Sequence, residues 1–131
     1  MKTSLLLVAH GSRRESSNDE VREVADTMAA QGGEGYHQIR AAFLELAEPL
    51  IPDGILACLD DGADRVVVVP YFLSAGRHVV TDIPNEVDKA RAQRPDADIV
   101  ISPYLGSSPV MTRVLLDLAA QTSIKTAHSP G

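Results

Sequence analysis

Two histidines stand directly after apolar, strand-like runs of this 131-residue sequence. His10 follows the run at residues 4–9, and His78 closes the loop that follows the valine-rich run at residues 65–73. A neutral imidazole binds divalent transition metals well. Because the loops after neighbouring strands of an open parallel sheet share one crevice, we expect the two histidines to face a common ligand.

A single histidine at a strand end is most often hydrogen-bonded to the backbone and has no further task. Here His10 and His78 occupy equivalent positions, and Gly11 and Gly76 beside them allow the backbone to approach closely. This repetition favours a metal-binding or catalytic pair. No cysteine or aspartate in the sequence obviously completes the four ligands of a structural zinc site. The pattern therefore indicates a site with open coordination positions, which suits metal transfer.

Charged candidates lie close to both histidines in the sequence. Glu45 ends the second predicted strand, and Glu48, three residues on, competes for any role given to it. Arg13, Arg14 and Arg77 flank the histidines, where guanidinium groups are able to hold carboxylates through paired hydrogen bonds. We therefore expect an acidic ligand beside the histidines.

Ser12 leads into the first predicted helix, so its backbone N–H is a candidate for binding an anion together with that of Gly11. His37 is interpreted as a strand residue with no special task, and His128 lies in the C-terminal tail. Neither of these two histidines enters the predicted site.

The elements that must position these residues alternate along the chain. Apolar runs predict strands over residues 4–9, 36–44, 65–73 and 98–102, and helical spacing predicts helices over residues 18–31, 53–60, 82–92 and 109–120. Ser17 or Asn18 is expected to cap the first helix, and Thr81 or Asp82 the third. Alternation of this kind predicts an α/β fold, a four-stranded parallel sheet in the order 2-1-3-4 with helices on both faces. That order makes strands 1 and 3 neighbours.

Length and composition limit the function classes. The chain has the size of one domain, predicted over residues 1–121, with a flexible tail at residues 122–131. Its net charge of −6 argues against nucleic acid or an anionic membrane as partner, and no apolar run is long enough to cross a bilayer. Cys58, the only cysteine, reads as a buried apolar residue. A cytoplasmic location is the resulting expectation.

Three segments carry a resemblance to a known family: LVAHGSRR at residues 7–14, AFLELAEP at residues 42–49, and VVPYFLSAGRHVVTDIP at residues 68–84. With them the chain resembles the small sirohydrochlorin chelatases, the short form of the cobaltochelatase and ferrochelatase family of cobalamin and sirohaem biosynthesis. The resemblance implies a chelatase-like domain in which His10 and His78 handle the metal and Glu45 is the active-site glutamate. It also implies a homodimer, since a sheet of this size offers a flat tetrapyrrole only one wall.

The resemblance implies a reaction in which a divalent metal replaces two pyrrole protons of sirohydrochlorin. We expect His10 and His78 to hold the metal and assist proton removal, with Glu45 as a further ligand or base. The arginines and Ser12 would bind the acidic side chains of the substrate. No organic cofactor is expected, and the metal is Co²⁺ or Fe²⁺, with Ni²⁺ as a third candidate because imidazole and carboxylate ligands serve all three.

Two alternatives use the same residues. A metal carrier would bind the ion through the same histidines without turnover of any tetrapyrrole. A histidine phosphatase would need an arginine immediately before the first histidine, where this sequence has Ala9. The sequence therefore favours the chelatase and leaves both the metal and the pathway open.

Overall fold

A single parallel sheet in the order β2-β1-β3-β4 organises the computed structural model, which describes residues 1–126. The strands are β1 (Thr3–Ala9), β2 (Gln38–Phe43), β3 (Arg65–Pro70) and β4 (Asp98–Ile101). The central strand β1 pairs in parallel with β2 on one side and β3 on the other. The predicted fold class and strand order are confirmed, and the loops after β1, β2 and β3 leave the sheet at the same edge.

The helices are α1 (Glu15–Gly32), α2 (Ile51–Asp60), α3 (Ile83–Gln93) and α4 (Val110–Thr126), with a π-helical turn at His78–Asp82 and a 3₁₀ turn at Leu105–Ser107. α1 begins earlier than the predicted residue 18, and α4 continues beyond the predicted end at residue 120. Residues 127–131 of the predicted tail, with His128, lie outside the described residues.

Both predicted helix caps are wrong. No side chain caps the start of α1 or of α3. Asn18 lies inside the first turn of α1, where its amide bonds the backbone of Ser12 instead. Asp82 has a helical backbone and directs its carboxylate to His78. In each case the polar side chain is used by the candidate site rather than by the helix end.

The pleat of β1 divides the core into two clusters, because successive side chains of a strand point to opposite faces. Leu6 and Val8 lie fully buried on the face that α2 and α3 cover. Leu5 and Leu7 lie on the opposite face, where α1 packs through Ala25. Helices therefore cover both faces of the sheet, as predicted.

Coverage of the α1 face is incomplete. Neither core cluster contains a residue from positions 110–122 of α4, the part of this helix whose side chains the structure describes, although these positions carry the predicted apolar stripe. The stripe residues are between 43% and 61% exposed: Val110, Val114, Leu115 and Leu118. A groove of about 590 Å³ runs along α1 beside Tyr71, which follows β3. The apolar face of α4 and this groove are thus two incompletely covered surfaces of one chain.

Cys58 lies on α2 and is fully buried, as the sequence predicts. Burial raises the pKa of its thiol, since a thiolate is poorly solvated in the core. Among residues 1–126, no helix combines the length and the apolar character needed to cross a membrane.

Candidate functional site

The carboxyl edge of the sheet brings His10 and His78 together. Their ring centroids are 4.6 Å apart, with the ring planes inclined by 58°. The two side chains are 41% and 45% exposed, so solvent and ligands reach both. The convergence expected from the strand order is confirmed.

The backbone of the loop after β1 holds His10. Its Nδ1 lies 2.9 Å from the carbonyl oxygen of Gly11, and because a carbonyl oxygen only accepts, the proton of the ring is on Nδ1. Gly11 has φ +95°, and a Cβ there would lie 1.8 Å from the carbonyl oxygen of Glu45. Only glycine fits between the two loops, and the bond at Nδ1 makes Nε2 the ring nitrogen of His10 that remains for a ligand.

Glu45 reaches the histidines because the loop after β2 continues the pairing with β1. The N–H of Leu44 donates to the carbonyl of Ala9 at 3.0 Å, and the N–H of Glu45 donates to that of His10 at 3.1 Å. The Glu45 carboxylate then lies 3.2 Å from Nε2 of His10.

In the neutral Nδ1–H form of His10, its contact with Glu45 joins a carboxylate to an imidazole lone pair, and both of these groups are acceptors. A cation between them, either a proton or a metal ion, would satisfy both groups. Nitrogen and oxygen ligands at ~2.1 Å from one ion on adjacent coordination positions lie about 3 Å apart, which is close to the observed separation. The geometry is suited to exchange of a proton for a metal ion.

Glu48 is directed away from the histidines. Leu46, with φ +66°, turns the chain after Glu45. The carbonyl of Glu48 accepts a hydrogen bond from Arg22 at 2.9 Å, in a groove that Glu15 also lines. The structure therefore places Glu45, and not Glu48, beside His10, an alternative that the sequence left open.

His78 is the first residue of the π turn, and Asp82 is the last. The Nδ1 of His78 lies 2.8 Å from the carboxylate of Asp82. Sequence reasoning missed this partner because it assigned Asp82 to a helix cap. The signal available was the spacing of four residues, which places two side chains on one side of a helical turn.

A crevice of about 360 Å³ opens beside His78 and is lined by polar residues: Glu45, Asp82, Asn85, Glu86 and Lys89, with Leu44 as the apolar member. Within residues 1–126, no three His, Cys, Asp or Glu side chains form a ready-made ligand group for a metal.

The predicted anion-binding residues lie around this edge. Arg13 and Arg14 are exposed, and neither forms an ion pair within the described part of the chain. Arg77 is 85% exposed, with its Nε 3.7 Å from Asp82. All three guanidinium groups are accessible to a negatively charged ligand.

Ser12 is less available than predicted. Its N–H donates to the Asn18 side-chain oxygen at 2.9 Å, and its carbonyl accepts from the Asn18 amide at 2.8 Å. The N–H of Ser12 is therefore not free for an anion, which corrects that part of the sequence interpretation. Its hydroxyl accepts from the N–H of Arg14 at 3.0 Å and keeps its own proton to donate. His37 bonds the backbone of Asp61, outside the site.

Comparison with known proteins connects this geometry to a family. The CbiX family model matches residues 4–122. The chloroplastic sirohydrochlorin ferrochelatase of Arabidopsis thaliana is 37% identical over 113 residues, covering 86% of this chain and 49% of that protein. The sirohydrochlorin cobaltochelatase of Methanopyrus kandleri is 30% identical over 134 residues, covering 87% of this chain and 92% of that protein.

Among solved structures, SirB from Bacillus subtilis with Fe³⁺ superposes with a TM-score of 0.81 at 28% identity, covering 99% of this chain and 49% of that chain. The chain thus spans about half the length of the Arabidopsis and Bacillus proteins and nearly all of the Methanopyrus protein. The expected chelatase-like fold is confirmed.

Proposed function

This chain belongs to the CbiX family, and on that premise we propose that it inserts a divalent metal ion into sirohydrochlorin. The names of the Arabidopsis and Methanopyrus relatives support the substrate. The observation that carries the proposal is the juxtaposition of His10 and His78, whose ring centroids are 4.6 Å apart, with the Glu45 carboxylate 3.2 Å from His10.

The reaction exchanges one M²⁺ for two pyrrole N–H protons, so the site must release a metal ion and accept protons at the same place. The Nε2 atoms of His10 and His78 hold the incoming substrate metal on one face of the macrocycle. As the ring nitrogens replace these ligands, the imidazoles and the Glu45 carboxylate become free to take the displaced protons. An incomplete ligand set suits this task, because a closed one would retain the ion.

Co²⁺ and Fe²⁺ are the substrate metals that we propose, with Ni²⁺ as a third. Relatives named for cobalt and for iron both match, and imidazole with carboxylate does not discriminate between these ions. An anaerobic insertion assay with the three metals side by side, followed by tetrapyrrole absorbance, decides among them.

The acidic side chains of sirohydrochlorin are assigned to Arg13, Arg14 and Arg77, with the Ser12 hydroxyl as a further donor. The exposed guanidinium groups support this assignment, since the chain as a whole has a net charge of −6 and attracts anions only where basic groups cluster. Replacing any one arginine by glutamine should raise KM for the tetrapyrrole more than it lowers kcat.

Site variants test the proposal. His10→Ala and His78→Ala should each lower the rate of insertion by about 100-fold or more, and Glu45→Gln by a similar factor, as expected for ligands and bases at the reacting centre. His37→Ala and Glu48→Gln are matched controls outside the site and should retain the wild-type rate. Unchanged rates in both histidine variants would exclude the site. Binding of Co²⁺ without turnover of sirohydrochlorin would instead identify a metal carrier.

A homodimer is the second part of the proposal. Two surfaces support a dimer: the exposed apolar stripe of α4 and the groove along α1. On the same side of the sheet as α1, Val67 and Val69 of β3 are only half-buried, whereas parallel sheets normally have both faces covered by helices. We assign the stripe of α4 from a second copy to this groove.

Light scattering tests the dimer. The wild-type chain should have the mass of two copies, and Leu115→Glu on the apolar stripe should reduce it to one. Leu116→Glu, on the opposite side of α4, is an equally exposed control and should leave the dimer intact. A fully active wild-type monomer would contradict this part of the proposal.

A further inference from the structure

The π turn between β3 and α3 places Asp82 beside His78. The proposed reaction described above gives Asp82 no role. The turn runs from His78 to Asp82 and is closed by the N–H of Ile83, which donates to the carbonyl of His78. Ile83 is fully buried in the core beneath α3, so the end of the turn is fixed to the body of the protein. Single π turns of this kind occur frequently at functional sites.

Within the turn, the Asp82 carboxylate accepts a hydrogen bond from Nδ1 of His78 at 2.8 Å. A carboxylate only accepts, so this contact keeps the ring proton on Nδ1 and leaves the lone pair of the neutral imidazole on Nε2. Asp82 is 30% exposed and is the less exposed member of the pair. Its second oxygen faces the Nε of Arg77 at 3.7 Å, which balances its charge.

We infer that Asp82 is a positioning residue: it fixes the tautomer and ring orientation of His78, so that Nε2 is the atom presented to the substrate metal. The inference rests on the proposed chelatase function and deepens it. Carboxylates that orient a metal-binding imidazole through its other nitrogen raise its basicity and restrict its rotation, and their loss commonly lowers metal affinity or activity by about 10- to 100-fold.

A purely structural role for Asp82 at the start of α3 has less support. The side chain makes no capping hydrogen bond to the backbone of α3. Val80 and Thr81, which lie between His78 and Asp82 in the turn, are exposed. Within residues 1–126, the hydrogen bond found at Nδ1 of His78 is the one to Asp82. Of the two contacts of the carboxylate, the hydrogen bond to His78 at 2.8 Å is closer than the ion pair with Arg77 at 3.7 Å.

Two variants and one control test the inference. Asp82→Ala removes the acceptor, whereas Asp82→Asn keeps an amide oxygen that accepts from Nδ1 but removes the charge. Asp88→Asn is the control, because Asp88 lies on the exposed side of α3 and forms an ion pair with Arg91. The measurements are the ¹⁵N chemical shifts of the His78 ring in the metal-free protein, kcat, and KM for Co²⁺.

We expect the wild-type protein to show His78 as one Nδ1–H tautomer. Asp82→Ala should convert it to a mixture or to the other tautomer and lower kcat/KM for Co²⁺ by about 10- to 100-fold, with Asp82→Asn between the two and Asp88→Asn unchanged. Retention of the Nδ1–H tautomer in Asp82→Ala would overturn the inference. So would wild-type kinetics of this variant in an enzyme that His78→Ala inactivates.

The two proposals fail in different ways. A wild-type protein that inserts no metal into sirohydrochlorin contradicts the chelatase function, and the ring shifts then report independently whether Asp82 controls the tautomer. If Asp82→Ala does not fold, Asp82→Asn supplies the comparison. If Asp82→Asn then shows the ring shifts and kinetics of the wild type, the negative charge of Asp82 does not orient His78, and the inference is contradicted.

Discussion

The loop after β1 and the loop after β3 present one imidazole each, but they hold it by different means. His10 is bonded to the backbone carbonyl of the next residue, and Gly11 packs against the backbone of Glu45. His78 is bonded to the side chain of Asp82, four residues further along a π turn. One half of the site thus depends on backbone geometry, and the other half on a replaceable carboxylate.

This difference separates the variants expected to damage the fold from those expected to damage only the chemistry. A residue that disturbs the turn at Gly11 moves His10 and Glu45 together, since hydrogen bonds join their loops. A change at Asp82 frees one ring and leaves the turn intact. Variants in and around the loop after β1 test its dependence on backbone geometry.

Gly11→Ala should have the largest effect. The new Cβ would collide with the carbonyl oxygen of Glu45, and the φ of +95° is itself unfavourable for alanine. We expect the free energy of unfolding in urea to fall by ~2 kcal/mol or more, together with loss of insertion activity.

Gly76→Ala is the matched control for Gly11→Ala, because nothing lies within 4 Å of a Cβ at this position in the loop after β3. Its stability should stay within about 0.5 kcal/mol of the wild type. Equal losses in the two glycine variants would contradict the distinction between the loops.

Asn18→Ala should have an intermediate effect. Asn18 is 1% exposed and makes two hydrogen bonds with the backbone of Ser12, so its removal leaves a partly buried donor and acceptor unpaired. We expect a loss of about 1–3 kcal/mol in the free energy of unfolding, measured by urea denaturation. Asp26→Ala, an exposed change on the same helix, is the control, and a loss as large there would show that α1 rather than the Ser12 loop is affected.

Glu15→Gln should have the smallest effect, and one that depends on pH. The hydrogen bond from Arg22, with a smaller one from Asn18, lowers the pKa of Glu15 in the folded chain. A depressed carboxyl pKa stabilises the fold above the pKa of the unfolded chain, and this contribution disappears as the pH falls through the folded value. The wild type should therefore be slightly more stable than the variant at neutral pH, and thermal unfolding midpoints should converge in acid.

Glu20→Gln, an exposed change one turn away on α1, is the control for Glu15→Gln and should show no such convergence. A Glu15→Gln variant that differs from the wild type equally at neutral and acidic pH would contradict the assignment to ionisation of Glu15.

The sheet and the meeting of the two histidines could be predicted because both follow from local sequence features. Four consecutive valines before Pro70 indicate a buried parallel strand, and the order of the strands determines which loops meet. The residue pattern alone left Glu45 and Glu48 open, and only the family resemblance favoured Glu45. The placement of the two side chains depends on the positive φ of Leu46 and on Arg22, which lies on another element.

The contacts of Asn18 with Ser12 and of Asp82 with His78 could not be predicted from residue propensity. Both residue types favour helix caps, and local propensity cannot show that a side chain is instead required by a neighbouring loop or ring. The exposed face of α4 escaped prediction for a related reason. An apolar stripe indicates that one side of a helix will be buried, but it does not show which surface will cover it. Val114 and Leu115 belong to such a stripe and are exposed in the single chain.

The position of Cys58 has a consequence for the metal ions that we propose as substrates. Its sulfur is the only thiol of the chain and is sealed in the core, so it is not available as a ligand at the carboxyl edge of the sheet. Soft ions such as Cu⁺ prefer thiolate ligands, whereas imidazole and carboxylate suit the borderline ions that we propose for this site. The buried position of the only cysteine therefore keeps thiolate chemistry away from the proposed metal site.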